Sequence, residues 1–588
     1  MNMPSLPEIF PGLRDSKHWR SNIALRLTAA VTCLAFFAGC ATTPQQVSGP
    51  QYAPAAKIMR DARSPQLSPE ARAADYLQAA AMTTPELGTG KQRTPARNAY
   101  NAAAAELTIL LRSAEGGRLW NRPLTLAGEN VTYHLRLQPS AAGVWAPDYF
   151  TSFKDPNKIK QKLIKKENVQ DGVGGALVGI RSLTPPENFA PPKGKGITAP
   201  VTATLDFHGI DATLALRSPA KQPTALVQGK VRPLAADFSA PISYYQPPAN
   251  LMLLAIMGAF RAAHYQNKTG LYFLQPYDPD RIPLVFVHGL ISTPFTWVQT
   301  INGLQADPEI RKHYQFWVFA YPTGNPVLYS SLLLREELAR VEKLYPNHKD
   351  YVLVAHSMGG LLTQAQVTTM SRADWEKTLG APAMQLFSQL KPADLVSKAT
   401  NFKANRRIKR VVFICTPHRG SQMASGGLGS FAIKLISLPT DLATTMKSEI
   451  PQETLRKMNN GRLPNSVSNL EPKAPYLKVL NKLRIQTTYH SIVGNRGKPG
   501  PLADSSDGVV PYWSSHIDGA KSECIVPGPH GLCEFPQTIA ELDRILRLHL
   551  KGQRERLSAS SSNGPVARSA TVDPDSPRLT GTEMTPAR

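Results

Sequence analysis

Cysteine is scarce, five in 588 residues, and two of the five, Cys33 and Cys40, fall in the N-terminal segment. Cys415, Cys524 and Cys533 include no pair with the spacing of zinc ligands, so the sequence gives no support for a metal centre. Cys415 lies in an apolar run and reads as a buried core thiol. Cys524 and Cys533 are candidates for a small disulfide-closed loop in an oxidising compartment. Acidic residues are also few, 43 against 67 Lys and Arg, which leaves a formal charge of +24. That excess favours anionic surfaces without naming one. Long apolar runs are missing as well. Leu27 to Gly39 is too short to cross a bilayer comfortably, and Leu251 to Phe260 is shorter still and reads as a helix buried between domains.

What is present begins with a targeting pattern over residues 1–40. Lys17, Arg20 and Arg26 flank the apolar run, which ends in Phe37-Ala38-Gly39-Cys40. This ending resembles a bacterial lipobox with Phe37 in place of the usual leucine. The resemblance implies that Cys40 is diacylated and becomes the mature N-terminus, and Ala41 resembles the residue found in lipoproteins sorted to the outer membrane. A cell-envelope location and attachment to the membrane through a lipid anchor are therefore expected. The basic clusters Lys158, Lys160, Lys162, Lys165, Lys166 and Arg406, Arg407, Lys409, Arg410 then either meet anionic lipid headgroups or lipopolysaccharide, or form solvated faces. Nucleic acid is not an expected partner.

The length calls for more than one domain. Residues 41–66, rich in Ala, Pro, Gln and Ser, read as a tether. Residues 67–125 read as helical. One helix starts at Ser68-Pro69, an N-cap followed by proline. A second covers about Ala96 to Ser113, with Tyr100, Leu107 and Leu111 among its apolar positions. The pair resembles a tetratricopeptide unit, but no second copy follows. Residues 126–245 read as β-rich: Val131, Tyr133, Leu135 and Leu137 alternate, and Val201 to Phe207 and Ala212 to Leu216 flank a turn at His208-Gly209-Ile210-Asp211. Over residues 246–551, short β-branched runs alternate with amphipathic helices, the pattern of a parallel sheet covered on both faces. The predicted strands are Leu284 to His288, Phe316 to Tyr321, Tyr351 to Ala355, Arg410 to Cys415, Thr487 to Val493 and Glu523 to Val526. One helix carries Leu334, Leu338, Val341 and Tyr345, and a closing helix carries Ile539, Leu542 and Ile545. Residues 552–588 turn to Ser, Pro, Thr and Arg and read as a disordered tail.

The chemistry is concentrated in Tyr351-Val-Leu-Val-Ala-His-Ser-Met-Gly-Gly360. An apolar strand enters Ala355-His356-Ser357-Met358-Gly359 and a helix follows at once. This resembles the nucleophile elbow of the α/β-hydrolase family, with Ala355 where the first glycine is usual. The resemblance implies an α/β-hydrolase fold, with Ser357 as nucleophile. Pro283-Leu-Val-Phe-Val-His-Gly-Leu290 resembles the family's oxyanion strand, which implies that Leu290 and Met358 offer backbone N–H groups to a developing alkoxide. His288 reads as structural. Asp507-Gly508-Val509-Val510-Pro511 resembles the acid loop, with Asp504 held as the reserve acid. His530, in Val526-Pro-Gly-Pro-His-Gly531 between the last strand and last helix, takes the place of the general base. His516 is too near the acid, and His549 lies inside the closing helix. A bridge between Cys524 and Cys533 would brace the His530 loop.

Two further segments, Thr416-Pro-His-Arg-Gly-Ser421 and Ser468 to Leu480, resemble lipase-like enzymes that remodel glycosylphosphatidylinositol anchors, with His418 as scaffold. An insertion over about 422–465, carrying Phe431, Ile433, Leu435, Ile436 and Leu438, is expected to cap an acyl pocket, joined by residues 371–405. The resemblance covers about residues 280–550 and leaves 41–245 unexplained. It implies a serine esterase or lipase that needs no cofactor and acts on an acyl ester through an acyl-enzyme. An acyltransferase using the same triad, and a non-catalytic envelope scaffold, are the rival readings.

Overall fold

Small residues build the first layer. In the computed structural model, residues 53–562 are described apart from 89–93, 129–130, 193–194, 246–254, 258, 260–267, 422–437, 460 and 498–499. The targeting segment with Cys40, most of the 251–260 stretch, and Phe431, Ile433, Leu435 and Ile436 lie outside the described residues. Three helices open the chain: α1 (Ala53–Asp61), α2 (Pro69–Thr83) and α3 (Pro95–Ser113). Ser68 and Thr94 cap α2 and α3, accepting the N–H groups of Ala71 and Arg97 at 3.1 Å each. A proline follows each cap, where no N–H is needed. Alanines at the contacts let α2 and α3 pack closely, and α1 joins them through buried Ala55 and Met59. Part of the expected tether is thus helical. Its alanine-rich composition serves packing against two other alanine-rich helices.

These helices lie on a six-stranded sheet formed by β1 (Leu124–Ala127), β2 (Thr132–Leu137), β3 (Ser152–Lys154), β4 (Gly175–Arg181), β5 (Ile197–His208) and β6 (Asp211–Arg217), in the order β1-β2-β6-β5-β4-β3. Only β2 and β6 pair in parallel. Helix α3 crosses β4 at Gly175, where a Cβ would collide with the Ala105 backbone. Strand β4 stops pairing at Ala203, so on that side the next residues of β5 have no ladder partner, while β6 goes on pairing with them on the other. There the Tyr100 hydroxyl donates to Leu205 O (2.6 Å) and accepts from Leu205 N–H (2.7 Å).

The second sheet comprises β7 (Gly270–Phe273), β8 (Ile282–Val287), β9 (Tyr314–Ala320), β10 (Tyr351–His356), β11 (Ile408–Ile414), β12 (Thr488–Asn495) and β13 (Glu523–Pro527), in the order β7-β9-β8-β10-β11-β12-β13. All neighbours are parallel except β7 against β9. Every residue of β8 and β10 is buried, as expected of strands covered on both faces. Around the sheet run α4 (Val298–Gln305), α5 (Val327–Leu344), α6 (Met358–Gln366), α7 (Arg372–Leu379), α8 (Ala381–Gln389), α9 (Leu395–Thr400), α10 (Thr440–Glu449), α11 (Gln452–Asn459), α12 (Pro475–Leu480) and α13 (Pro536–Ser562). Alternation along each strand divides the core. Val285, Leu353 and Phe413 face α5 and α6, while Leu284, Phe286, Val354 and Val412 face α4 and α13.

Six of the seven strands match the predicted runs; β7, four residues long, does not announce itself. Helix α13 passes Lys551 and ends at Ser562, which shortens the expected tail. Ion pairs Lys551–Glu555 (3.9 Å) and Arg554–Glu309 (2.9 Å) support this polar extension.

The two sheets share a packed boundary. Buried Asn302 on α4 donates to Lys166 O (2.9 Å) and accepts from Ser239 Oγ (2.6 Å) and Asn168 Nδ2 (3.1 Å). Phe189 stacks on Phe273 at 4.8 Å, and Phe273 on Trp317 at 4.0 Å. Of the first basic cluster, Lys165 pairs with Glu534 at 3.0 Å, while Lys158, Lys162 and Lys166 are exposed. The second cluster is tied inward: Arg407 and Lys409 pair with Asp350, and Arg410 bonds His490 and His549.

Candidate active site

Strand β10 and helix α6 are joined by a single residue, Ser357, at φ 53° and ψ −127°. A non-glycine residue held there stores about 1–3 kcal/mol of strain. Two bonds fix it: Ser357 N–H donates to Ile414 O (2.9 Å) and Gly360 N–H to Ser357 O (2.9 Å). The turn is tight because α6 lies against the neighbouring strand ends. A Cβ at Gly359 would strike His288 O, and one at Gly360 would strike Thr416 Oγ1.

Two loops from the carboxyl edge of the sheet meet this serine. His530, between β13 and α13, places Nε2 2.8 Å from Ser357 Oγ. Its Nδ1–H donates to Asp507 Oδ2 at 2.7 Å. The other carboxylate oxygen, Oδ1, accepts the N–H groups of Val509 (2.8 Å) and Val510 (2.7 Å), the two residues that follow Gly508 in the acid loop. Burial pushes the Asp507 carboxyl up. The bond and charge of His530, with the two N–H donors, overcome that and hold it below the usual carboxylate range. A carboxylate so fixed selects the imidazole tautomer with its lone pair on Nε2, facing the serine hydroxyl.

The loop after β8 borders the same point. A Cβ on Gly289 would stand 2.9 Å from Ser357 Cβ, so the peptide leading to Leu290 passes close to the serine. Ile291 sits at φ 50° and donates its N–H to Thr323 Oγ1 at 3.3 Å, which fixes the turn. Met358 opens α6, where an N–H has no partner within the helix. Neither the Leu290 nor the Met358 N–H finds a backbone acceptor among the described residues. His288 is buried and stacks on Tyr321 at 4.5 Å, whose hydroxyl donates to His288 O at 2.7 Å. Burial pushes its imidazole down to about 4, as befits scaffold.

Other candidates lie elsewhere. Asp504 is exposed. His516 bonds Glu523 at 2.7 Å, and His549 is buried in α13. His418 is buried, bonds Gln364 Oε1 at 2.7 Å and is pushed down to about 3 by burial. The expected Cys524–Cys533 bridge is absent: both are free thiols. Cys524 faces the charges of Glu541 and Arg544 on α13, while Cys533 lies beside Cys415 on the inner side. The two cysteines serve different surroundings.

Sequence reasoning missed two residues. His356 donates Nε2–H to His530 O at 2.8 Å, with the two rings 4.8 Å apart. Burial, then the neighbouring His530, push its imidazole down to about 3. A histidine in an otherwise apolar strand, next to the serine, is the signal that could have found it. Cys415 follows β11, whose Ile414 pairs with His356, so its thiol arrives beside the site. Its Sγ, an Asp507 oxygen and a His530 nitrogen lie within 4.8 Å of one another. Burial and the Asp507 charge raise the thiol, which stays protonated.

A mostly parallel sheet in this strand order, with a serine on the strand-to-helix turn at its centre and an acid and a histidine on later loops, is the α/β-hydrolase fold. The chain matches no protein-family model and no curated protein sequence. Among solved structures, it is similar to the mature Bacillus licheniformis lipase BlEst2, at 16% identity and a TM-score of 0.28, covering 47% of this chain and 97% of that one. It is similar to the Staphylococcus hyicus lipase at 14% identity and a TM-score of 0.30, covering 49% and 98%. It is also similar to esterase B from Lactobacillus rhamnosis at 13% identity and a TM-score of 0.27, covering 50% and 83%.

Proposed function

We propose that the protein is a serine hydrolase of carboxylic esters. The observation that carries this reading is the bonded chain Ser357–His530–Asp507, at 2.8 and 2.7 Å, on a strained turn. His530 takes the Oγ proton as Ser357 attacks the ester carbonyl. The oxyanion forms toward the N–H groups of Leu290 and Met358, each contributing about 3–4 kcal/mol in such sites. His530 then protonates the departing alcohol. Water, activated by the same imidazole, releases the acid from the acyl-enzyme.

The apolar side chains that α8, α10 and α11 turn inward, Leu386, Leu442, Met446 and Leu455, and the likeness of Thr416–Ser421 to lipase-like enzymes support a lipid-like ester. The lipobox ending at Cys40 supports attachment to the cell envelope, facing the periplasm or the surface from the outer membrane. The exposed Lys158, Lys162 and Lys166 support contact with anionic lipid or lipopolysaccharide.

The test is hydrolysis of p-nitrophenyl esters of increasing acyl length by a form starting after Cys40. Ser357→Ala and His530→Ala are each expected to lose about 10⁴-fold or more in kcat. A folded sample with no turnover and no fluorophosphonate label on Ser357 would sink the reading.

A further inference from the structure

Helices α5, α7 to α12 and their connections enclose a cavity of about 140 Å³, with Leu328, Trp375, Leu395 and Met446 among its apolar walls. Two hydroxyls also line it, Thr454 on α11 and Tyr476 on α12. Both residues are buried, at 0% and 3% exposure, and neither hydroxyl has a hydrogen-bond partner among the described residues. The other polar side chains of the wall are satisfied. Ser468 Oγ bonds Asn465 O (3.1 Å), Thr400 Oγ1 bonds Val396 O (2.6 Å), and Asn469 Oδ1 accepts Val327 N–H (2.9 Å). Burial alone raises the Tyr476 phenol, with no charge or bond beside it. Buried hydroxyls are rarely left unmatched, and a cavity that only needed filling would be served by Phe and Val at these positions.

We propose that this cavity receives the outer part of a medium-length acyl chain bearing a hydroxyl or keto oxygen, which Tyr476 and Thr454 bind. The inference rests on the reading of Ser357 as the ester-cleaving nucleophile. The size fits: an apolar cavity of about 150 Å³ takes a benzene-sized molecule, hence about six carbons. The reach fits as well. Thr323 holds the turn after Leu290, and Pro326 on the cavity wall is three residues further on. Three residues span at most about 11 Å, so the wall begins within that distance of Thr323, whose hydroxyl holds the turn after Leu290.

The test has two arms on the full mature chain. In the first, umbelliferyl octanoate is compared with octanoates hydroxylated at successive carbons. At least one hydroxylated ester is expected to exceed octanoate about tenfold in kcat/KM. Tyr476→Phe combined with Thr454→Val is expected to bring the two to the same value. In the second arm, the free hydroxyoctanoic acids are titrated into Ser357→Ala, with Trp375 fluorescence as the signal and Trp375→Phe as its control. Binding about tenfold tighter than octanoic acid is expected, and Tyr476→Phe should abolish the difference. A hydroxylated chain with no advantage in either arm, or an advantage that survives the double variant, overturns the proposal. Selective binding without turnover of any ester, acetate included, would leave the cavity assigned and overturn the hydrolase reading instead.

Discussion

His356 and Ser357 are consecutive, yet one offers its hydroxyl to His530 and the other grips that same histidine's backbone from 174 positions away in the chain. The pair fixes both ends of the nucleophile–base contact from one strand end. His356→Ala frees the His530 carbonyl and is expected to lower kcat about 10–100-fold, whereas His356→Gln, which can still donate, recovers most of it. Equal losses in both would place the role in packing. The thiols give a second expectation. In a form starting after Cys40, one thiol, the half-buried Cys524, should react with a disulfide reagent in the native state. Buried Cys415 and Cys533, whose thiols burial raises, should join only on unfolding. Two thiols that remain unreactive after unfolding without reductant would restore the bridge.

Among elements, the elbow is the least forgiving. Gly359 has His288 O where a Cβ would go, while Gly531, beside His530, has open space. Gly359→Ala is therefore expected to cost about 1–3 kcal/mol or more in a urea melt and to erase esterase activity, with Gly531→Ala close to wild type. The central strands of the second sheet, β8 and β10, were legible because each is an almost wholly apolar run buried on both faces, and Ser357 was legible because it follows β10 directly, with Asp507 and His530 on loops after the later strands β12 and β13. What escaped was set by contacts between distant parts. Helix α1 is stable through Ala55 and Met59 packed on α2 and α3, and no local signal marks it. Strand β7 is a short edge that exists by pairing with β9. The extension of α13 depends on Glu309, remote in sequence. His356 and Cys415 were hidden because their roles lie in register and backbone bonding.

For the whole molecule, acid is the expected weakness. His288, His356 and His418 are buried neutral, with imidazoles pushed down by burial to about 4, 3 and 3. In the unfolded chain each titrates near 6.5. Between those values the unfolded state binds more protons. Stability therefore rises with pH across the window and is lost as pH falls below about 6.5, by up to about 1.4 kcal/mol per pH unit for each histidine. Calorimetry at pH 7.5, 6 and 5 should show a falling Tm, and a flat profile would mean these rings are hydrated and charged in the fold. The loss falls at the centre of the second sheet, where His288 follows β8 and His356 ends the neighbouring β10.

The Tyr100 hydroxyl makes the two bonds that a neighbouring strand would make to Leu205. One buried side chain thus closes the interior gap left where β4 ends, beside Gln228 Nε2, which also donates to Leu205 O at 3.3 Å. A single phenolic oxygen does at this point of the sheet what the backbone of an adjacent strand does elsewhere.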